Sequence, residues 1–199
     1  MSNVENFRPR SGYLLAFTAY FAISAFSYVN ILDYGFQGGL PSLAWGLWLC
    51  ALLYLIFIHP KVIFSDEGVV IINPMKKITI GWQEISEIDA RFTMYVDHLP
   101  TGVRYHAFAA QAPGRYHSRN IHPNEVKGLR IGDSGMIRAG ESPRSNSGAA
   151  TAIARSRHEN FRKSGHLTGL NFAIAINKSG LLIITALLTL ALVIQFFHT

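Results

Sequence analysis

Histidines are the residues of this chain that most invite interpretation as a metal site. His98, His106, His117 and His122 lie in one part of the chain. Zinc needs three or four ligands that converge on one centre. No two histidines have the i, i+4 spacing that a helical metalloprotease uses, and the single cysteine, Cys50, lies inside an apolar segment. We therefore predict that the chain has no metal site and no cofactor.

Serines and carboxylates do not form a catalytic pattern either. Ser134 stands in GDSG, a fragment that serine proteases also contain, but a nucleophile needs a base and an oxyanion hole in a fixed scaffold. The surrounding GLRIGDSG lacks the Lys-Ser/Thr ending of a phosphate-binding loop. Glu84, Glu87 and Asp89 are spaced irregularly, which is typical of solvated strand edges. We predict that the chain is not an enzyme, with a lipid-modifying activity as the less favoured alternative.

Basic residues cluster near the end of a predicted helix. The net charge is +6, and every lysine and arginine except Arg8 and Arg10 lies within residues 60–180. Such a balance favours an anionic membrane surface, where each basic group contributes about 1 kcal/mol. A nucleic-acid partner is not predicted, because the sequence has neither a helix with a dense basic face nor an alternation of aromatic and basic residues. The predicted membrane-surface contacts are Arg155, Arg157, Arg162 and Lys163, and the alternative is a solvated helix face.

Three apolar segments, 13–32, 43–59 and 181–197, are predicted transmembrane helices. None contains Asp, Glu, Lys or Arg, and each approaches the roughly 20 residues that an α-helix needs to cross a bilayer. The mean hydropathy of the chain is +0.21. A buried helix of a soluble protein is the alternative for the third segment. A cleaved signal peptide is the alternative for the first, although Ile23–Ala25 is a poor cleavage site.

The distribution of basic residues predicts the orientation of these segments. Residues 33–42 contain no Lys or Arg and are predicted to form an external loop, whereas basic residues flank the other ends. Residues 1–12 and 60–165 are then cytoplasmic, with 166–180 as a linker to the third helix. We predict a multi-pass protein of the plasma (inner) membrane.

Between the second and third apolar segments the chain has the pattern of a β-domain. Six short runs read as antiparallel strands of a sandwich or partly open barrel: KVIF, VVIIN, KITIGW, ISEIDARF, TMYVDH and VRYHAFAA. Ile78, Ile80 and Trp82 alternate onto one face. The turn SDEG precedes VVIIN, and Gly68 there is predicted to adopt positive φ.

After the strands, composition changes and then a helix follows. Residues 111–147 are rich in Gly, Pro, Ser, Arg and Asn and are predicted to be a flexible insertion. A helix is predicted over 148–164, with Ser147 as its N-cap and Gly165 at C′. This helix is expected to cover one open end of the β-domain.

The order of these features resembles the membrane-anchored bacterial pleckstrin-homology-like (PH-like) domain family, which is mostly actinobacterial. The resemblance in architecture covers residues 1–165, but its motifs are confined to 61–89. It implies a seven-stranded, strongly bent sandwich capped by a C-terminal helix. The expected fold class is therefore an α+β membrane protein that combines transmembrane helices with a PH-like antiparallel sandwich or barrel. The residues that carry the resemblance are fold landmarks: Gly68, Asn73, Pro74, the basic pair Lys76 and Lys77, Trp82 and Ile85.

Phosphoinositide binding does not follow from that resemblance. The eukaryotic PH domains that bind these lipids resemble one another in a basic loop between the first two strands. Here that loop, Ser65–Gly68, contains Asp66 and Glu67 and no basic residue. Two carboxylates repel a phosphorylated headgroup, so we predict no inositide binding at this loop.

Two functional hypotheses follow. The first is a noncatalytic membrane-anchored binding or adaptor module that presents its cytoplasmic β-domain to a protein partner, by strand addition or in a groove beside the helix. The second is a structural or assembly subunit that uses its transmembrane helices within a larger membrane complex. The predicted partners are membrane lipids together with another protein or a second copy of the chain.

Overall fold

The computed structural model describes residues 4–112, 140, 142, 145–165 and 169–198. The chain divides into two compact units. The β-unit comprises Met1–Pro9 and Pro60–Ala175, and the helical unit comprises Arg10–His59 and Ile176–Thr199. The expected α+β class with antiparallel sheets is confirmed. The predicted insertion at 111–147 lies mostly outside the described residues.

Two sheets make up the β-unit in the described part of the chain. The first has the order β1-β2-β3-β4-β8, and the second has the order β5-β6-β7. The pairs within β1 to β4 and within β5 to β7 are antiparallel. The strands are β1 (Glu5–Phe7), β2 (Lys61–Phe64), β3 (Gly68–Ile72), β4 (Lys76–Gly81), β5 (Ile85–Ala90), β6 (Thr93–His98), β7 (Val103–Gln111) and β8 (Ala173–Ile176).

All six strands expected between 61 and 110 are present, and two further strands are not among those expected. β1 is only three residues long, which is too short for an alternating pattern to reveal. β8 (Ala173–Ile176) lies within residues 166–180, which were predicted to be a linker. The sequence AIAI does alternate, but the adjacent apolar segment masks the period of two in any longer window.

Alternation explains why β2 to β4 form one face of the core. Val62, Phe64, Val69 and Ile71 are fully buried, because every second side chain of a strand points to the same side of the sheet. Ile78, Ile80 and Trp82 are buried as expected. The three-residue 3₁₀ turn Trp82–Glu84 then carries the chain from the first sheet to the second.

Gly68 does not adopt the positive φ that its turn predicted. Among the described residues, positive φ occurs at Gly35, Gly102 and Gly165. Gly68 instead lies where β3 approaches β4 closely, and a Cβ there would collide with the carbonyl oxygen of Ile80. The position therefore requires glycine for close packing of the backbone.

Helix α2 (Asn146–Ser164) packs on β5, β6, β7 and β2. Its N-cap is Ser145, whose Oγ accepts a hydrogen bond from the amide of Gly148 at 2.9 Å, so the expected cap at Ser147 was two residues too late. The C-cap prediction is confirmed, because Gly165 has a φ of 69°. Ala150, Ala154 and Phe161 turn toward the core.

The helical unit contains helix α1 (Arg10–Leu53), the π-helical turn Tyr54–Ile58, and helix α3 (Lys178–His198). The backbone of α1 leaves helical geometry at Gly35, with φ 71° and ψ 175°. Residues 33–42, expected as a loop, are helical apart from this break. The break divides α1 into two arms, and Pro41 lies within the second.

Contacts within α1 show that its two arms fold back on each other. The Tyr20 hydroxyl donates to the carbonyl of Cys50 at 3.3 Å, and the Ser27 hydroxyl donates to the carbonyl of Ser42 at 3.3 Å. In the part of the chain that the structure describes, two helices, Arg10–Ile58 and Lys178–His198, have the length and apolar composition needed to cross a membrane.

Candidate functional site

The end strand β8 is the most exposed apolar element of the β-unit's first sheet. All four of its residues are exposed, and the side chain of Ile174 is 48% exposed. Its neighbour on one side is β4, and no strand follows it on the other side in the described strand order. A strand in this position offers unpaired N–H and C=O groups to another extended chain.

The segment that leads into β8 is held firmly to the β-unit. The amide of Leu170 donates to the carbonyl of Glu67 at 3.1 Å, and the side chain of Gln83 donates to the carbonyl of Leu170 at 3.2 Å. Gly169 packs against both Glu67 and Gln83, leaving no room for a Cβ. These contacts fix the course of the chain immediately before the exposed strand.

A buried histidine supports the same segment from beneath. His98 is 2% exposed, and its ring stacks on Phe172 with centroids 4.0 Å apart. Its Nδ1 lies 2.8 Å from the Thr101 hydroxyl, and its Nε2 lies 3.6 Å from Oε2 of Glu84. Phe172 also contacts the ring of Tyr105. The stack anchors the residue that directly precedes β8.

The other end strands are engaged by neighbouring groups. The side chain of Asn73 accepts from the amide of Phe108 at 2.9 Å and donates to the carbonyl of His106 at 2.8 Å, both on β7. On β1, Glu5 lies 3.6 Å from Arg157 of α2. α2 also packs on β5. Among the described end strands, β8 is therefore the one whose side chains are exposed along its whole length.

Two of the four predicted membrane contacts are paired inside the β-unit. Nη2 of Arg155 lies 2.9 Å from the buried carboxylate of Asp89, and its Nε donates to the carbonyl of Ile88 at 2.9 Å. Arg157 lies 2.6 Å from Asp66. These contacts hold α2 against β5 and the β2–β3 turn. Membrane contact by these arginines remains a prediction.

Arg162 and Lys163, the other two, lie in the exposed last turn of α2. Lys163 lies 2.7 Å from Glu159, and this hydrogen bond lowers the pKa of the Glu159 carboxyl. Burial lowers the pKa of His158, and the charge of Arg162 lowers it further. One turn earlier, His158 packs against the ring of Trp82, whereas Arg162 and Lys163 lie exposed at the end of the helix.

The carboxylate of Asp89 is buried, whereas the sequence predicted that it lies at a solvated strand edge. It accepts hydrogen bonds from its neighbour's amide, from the Tyr95 hydroxyl at 3.2 Å and from Arg155. Burial raises the pKa of the Tyr95 hydroxyl, and the charge of Asp89 raises it further. Every contact described for Asp89 lies within the β-unit, so the network supports the fold.

The fold landmarks occupy structural positions. Trp82 is 1% exposed, and its indole N–H donates to the carbonyl of Ser65 at 3.0 Å. Ile85 is buried in the core. Pro74 lies in the β3–β4 turn that Asn73 ties to β7. In addition, Gly68 lies at the close β3–β4 approach.

The remaining chemistry-bearing residues do not form a metal centre in the part of the chain that the structure describes. No group of three or more His, Cys, Asp and Glu side chains converges there. His117, His122 and Ser134 lie outside the described residues. Searches of family models, curated proteins and solved structures found no match to this chain.

Proposed function

We propose that this chain is a noncatalytic, membrane-anchored binding module whose PH-like β-unit faces the cytoplasm at the inner membrane and holds a protein partner. The observation that carries the proposal is β8, an apolar end strand exposed along its whole length. The PH-like part rests on the sequence resemblance, and two antiparallel sheets followed by a packed helix are compatible with it.

The connection between β1 and β2 supports membrane anchoring on one side. Phe7 and Val62 are opposite each other in the antiparallel pair, yet the chain between them contains all of α1. A chain that leaves and returns at adjacent points crosses a bilayer an even number of times or not at all. Two crossings by the arms of α1 meet this condition and agree with the predicted cytoplasmic β-unit.

Strand addition is the binding mode that β8 favours. Main-chain hydrogen bonds would supply affinity, and the alternating side chains would supply specificity. The partner would be an extended segment that places apolar or β-branched residues beside Ile174. The segment anchored by Leu170 and Phe172 presents β8 in a fixed course, which lowers the ordering cost of binding.

Site-specific crosslinking in intact cells tests this proposal. A photoreactive amino acid is placed at Ile174, and a matched control carries it at Leu99, which is 62% exposed on a turn rather than on a strand. We expect a protein adduct of defined mass from position 174 and none from position 99. Lipid adducts alone at position 174 would contradict the proposal, because β8 would then lie against the membrane surface.

Proline substitutions separate the two edges of β8. Successive residues of a strand direct their N–H groups to opposite edges, so Ala175→Pro and Ile176→Pro remove donors from different sides while position 174 keeps the photoreactive residue. One variant should disturb pairing with β4, and the other should leave the fold intact while reducing the adduct about five- to tenfold. An adduct unaffected by the well-folded variant would exclude strand addition. An adduct with a second copy would favour self-assembly instead.

A further inference from the structure

The helical unit contains an amphipathic groove of about 480 Å³ between the end of α1 and the start of α3. Its polar wall includes Tyr54, His59, Asn177 and Ser179, and its apolar wall includes Leu55, Ile183 and Ile184. The polar side chains lie at or near the helix ends. Ile183 and Ile184 lie further along α3 from Asn177. The groove therefore changes from polar to apolar along the helices.

Local backbone geometry builds the polar wall. The π-helical turn Tyr54–Ile58 widens the end of the first helical segment, and the amide of His59 closes it by donating to the carbonyl of Tyr54 at 2.9 Å. Such π turns are frequent at functional sites. Nε2 of His59 lies 3.3 Å from Nδ2 of Asn177, so an imidazole and an amide meet at the mouth of the groove.

Asn177 has two distinct roles because its two side-chain atoms face different groups. Its Oδ1 accepts from the amide of Gly180 at 3.1 Å and from the Ser179 hydroxyl at 3.3 Å, which caps α3. Its Nδ2 is the atom that faces His59. The cap therefore fixes the amide nitrogen, a hydrogen-bond donor, at the groove.

The charges at this end of the helical unit are basic. Arg10 begins α1, Lys178 begins α3, and residues 10–12, 54–59 and 176–180 contain no Asp or Glu. Gly12 lies against the carbonyl of Phe57, which brings the start of α1 to the same end as the π-helical turn. The one acidic residue of the helical unit, Asp33, precedes the break at Gly35.

We infer that this groove binds one anionic phospholipid. The phosphate would lie at the polar wall beside the His59 imidazole and the Asn177 amide, near the positive charges of Arg10 and Lys178. One acyl chain would lie along Leu55, Ile183 and Ile184. This inference relies on the membrane placement in the proposed function but not on the protein partner, so either can fail alone.

Native mass spectrometry of the full chain tests the inference. The protein is released from nanodiscs that contain equal amounts of phosphatidylglycerol and phosphatidylcholine with identical acyl chains. We expect one retained phosphatidylglycerol per chain. The double variant His59→Ala/Asn177→Ala should lower that retention by about tenfold relative to phosphatidylcholine, because the polar wall beside the phosphate is lost. His198→Ala, a matched histidine at the other end of α3, should leave it unchanged.

A second variant keeps the test decisive if removing Asn177 unfolds the start of α3. Ile183→Trp fills the apolar part of the groove without touching the polar wall, and it should also displace the lipid. Equal retention of both lipids by the parent would overturn the inference. So would phosphatidylglycerol retention that survives both variants, or retention that is lost in Arg162→Ala/Lys163→Ala, because the exposed turn of α2 would then be the lipid site.

Discussion

At the scale of single residues, two arginines on one helix received the same prediction from the sequence but have different surroundings in the fold. Arg155 and Arg162 both lie on α2 and both qualified as membrane contacts by charge and position. The first reaches a buried carboxylate, and the second lies in the exposed last turn. Charge and spacing along a helix predict which face a residue occupies, but not whether a carboxylate 66 positions away lies beneath it.

This difference predicts opposite outcomes for two alanine substitutions. Arg155→Ala leaves the buried Asp89 without its charged partner, so we expect a loss of about 1–3 kcal/mol in the free energy of unfolding of the β-unit. Arg162→Ala should change it by less than about 0.5 kcal/mol. Hydrogen exchange of the β5 and β6 amides in the full chain, in detergent micelles, measures both.

The control for this comparison is Arg155→Lys. Lysine keeps the positive charge but lacks the second donor that Arg155 directs to the carbonyl of Ile88. An intermediate loss is therefore expected. Equal exchange rates in Arg155→Ala and Arg162→Ala would show that the Asp89 pair does not stabilise the β-unit.

At the scale of elements, the sequence predicted those strands that a local pattern of alternating side chains and turn residues determines. The strands from Lys61 to Gln111 were expected because alternation and turn residues coincide there. Residues 33–42 were predicted as a loop because of their glycines and proline, although the backbone leaves helical geometry there only at Gly35. β8 was missed because four residues are too few to show a period of two. The candidate site on β8 was missed for the same reason, although strand addition was foreseen as a mode.

The break at Gly35 leads to a prediction about the hairpin in α1. A backbone with φ 71° and ψ 175° is essentially restricted to glycine. In a Cys50→Ser background, cysteines at positions 27 and 46 should form a disulfide, because a Cβ at Gly46 would lie 3.1 Å from the Ser27 hydroxyl. Gly35→Ala should destabilise the hairpin by about 1–3 kcal/mol and reduce the disulfide yield. Alkylation followed by mass measurement counts the remaining thiols.

Gln37→Ala is the matched control, because residue 37 is exposed and helical. It should leave the disulfide yield unchanged. Failure of the two cysteines to oxidise even with Gly35 in place would mean that the arms of α1 are not packed together at Ser27 and Gly46.

At the scale of the whole molecule, one pairing constrains the topology more than composition does. Basic residues gave an orientation through a statistical tendency, whereas the β1–β2 pair brings Phe7 opposite Val62 whatever the intervening chain does. The arms of α1 must then begin and end on one side of any membrane that they cross. α3, with 21 residues, is long enough for a single crossing of a bilayer core about 30 Å thick.

These two constraints predict the labelling of single cysteines introduced into a Cys50→Ser parent. Positions 6 and 99 should react with a membrane-impermeant maleimide only after the cells are permeabilised, because both belong to the β-unit. Position 37, next to the break in α1, and position 197, near the end of α3, should react in intact cells. Labelling of 6 and 37 from the same side would mean that the arms of α1 do not cross. If positions 197 and 6 are labelled from the same side, α3 does not cross the membrane and the hairpin of α1 is the anchor. The labelling therefore tests α1 and α3 independently.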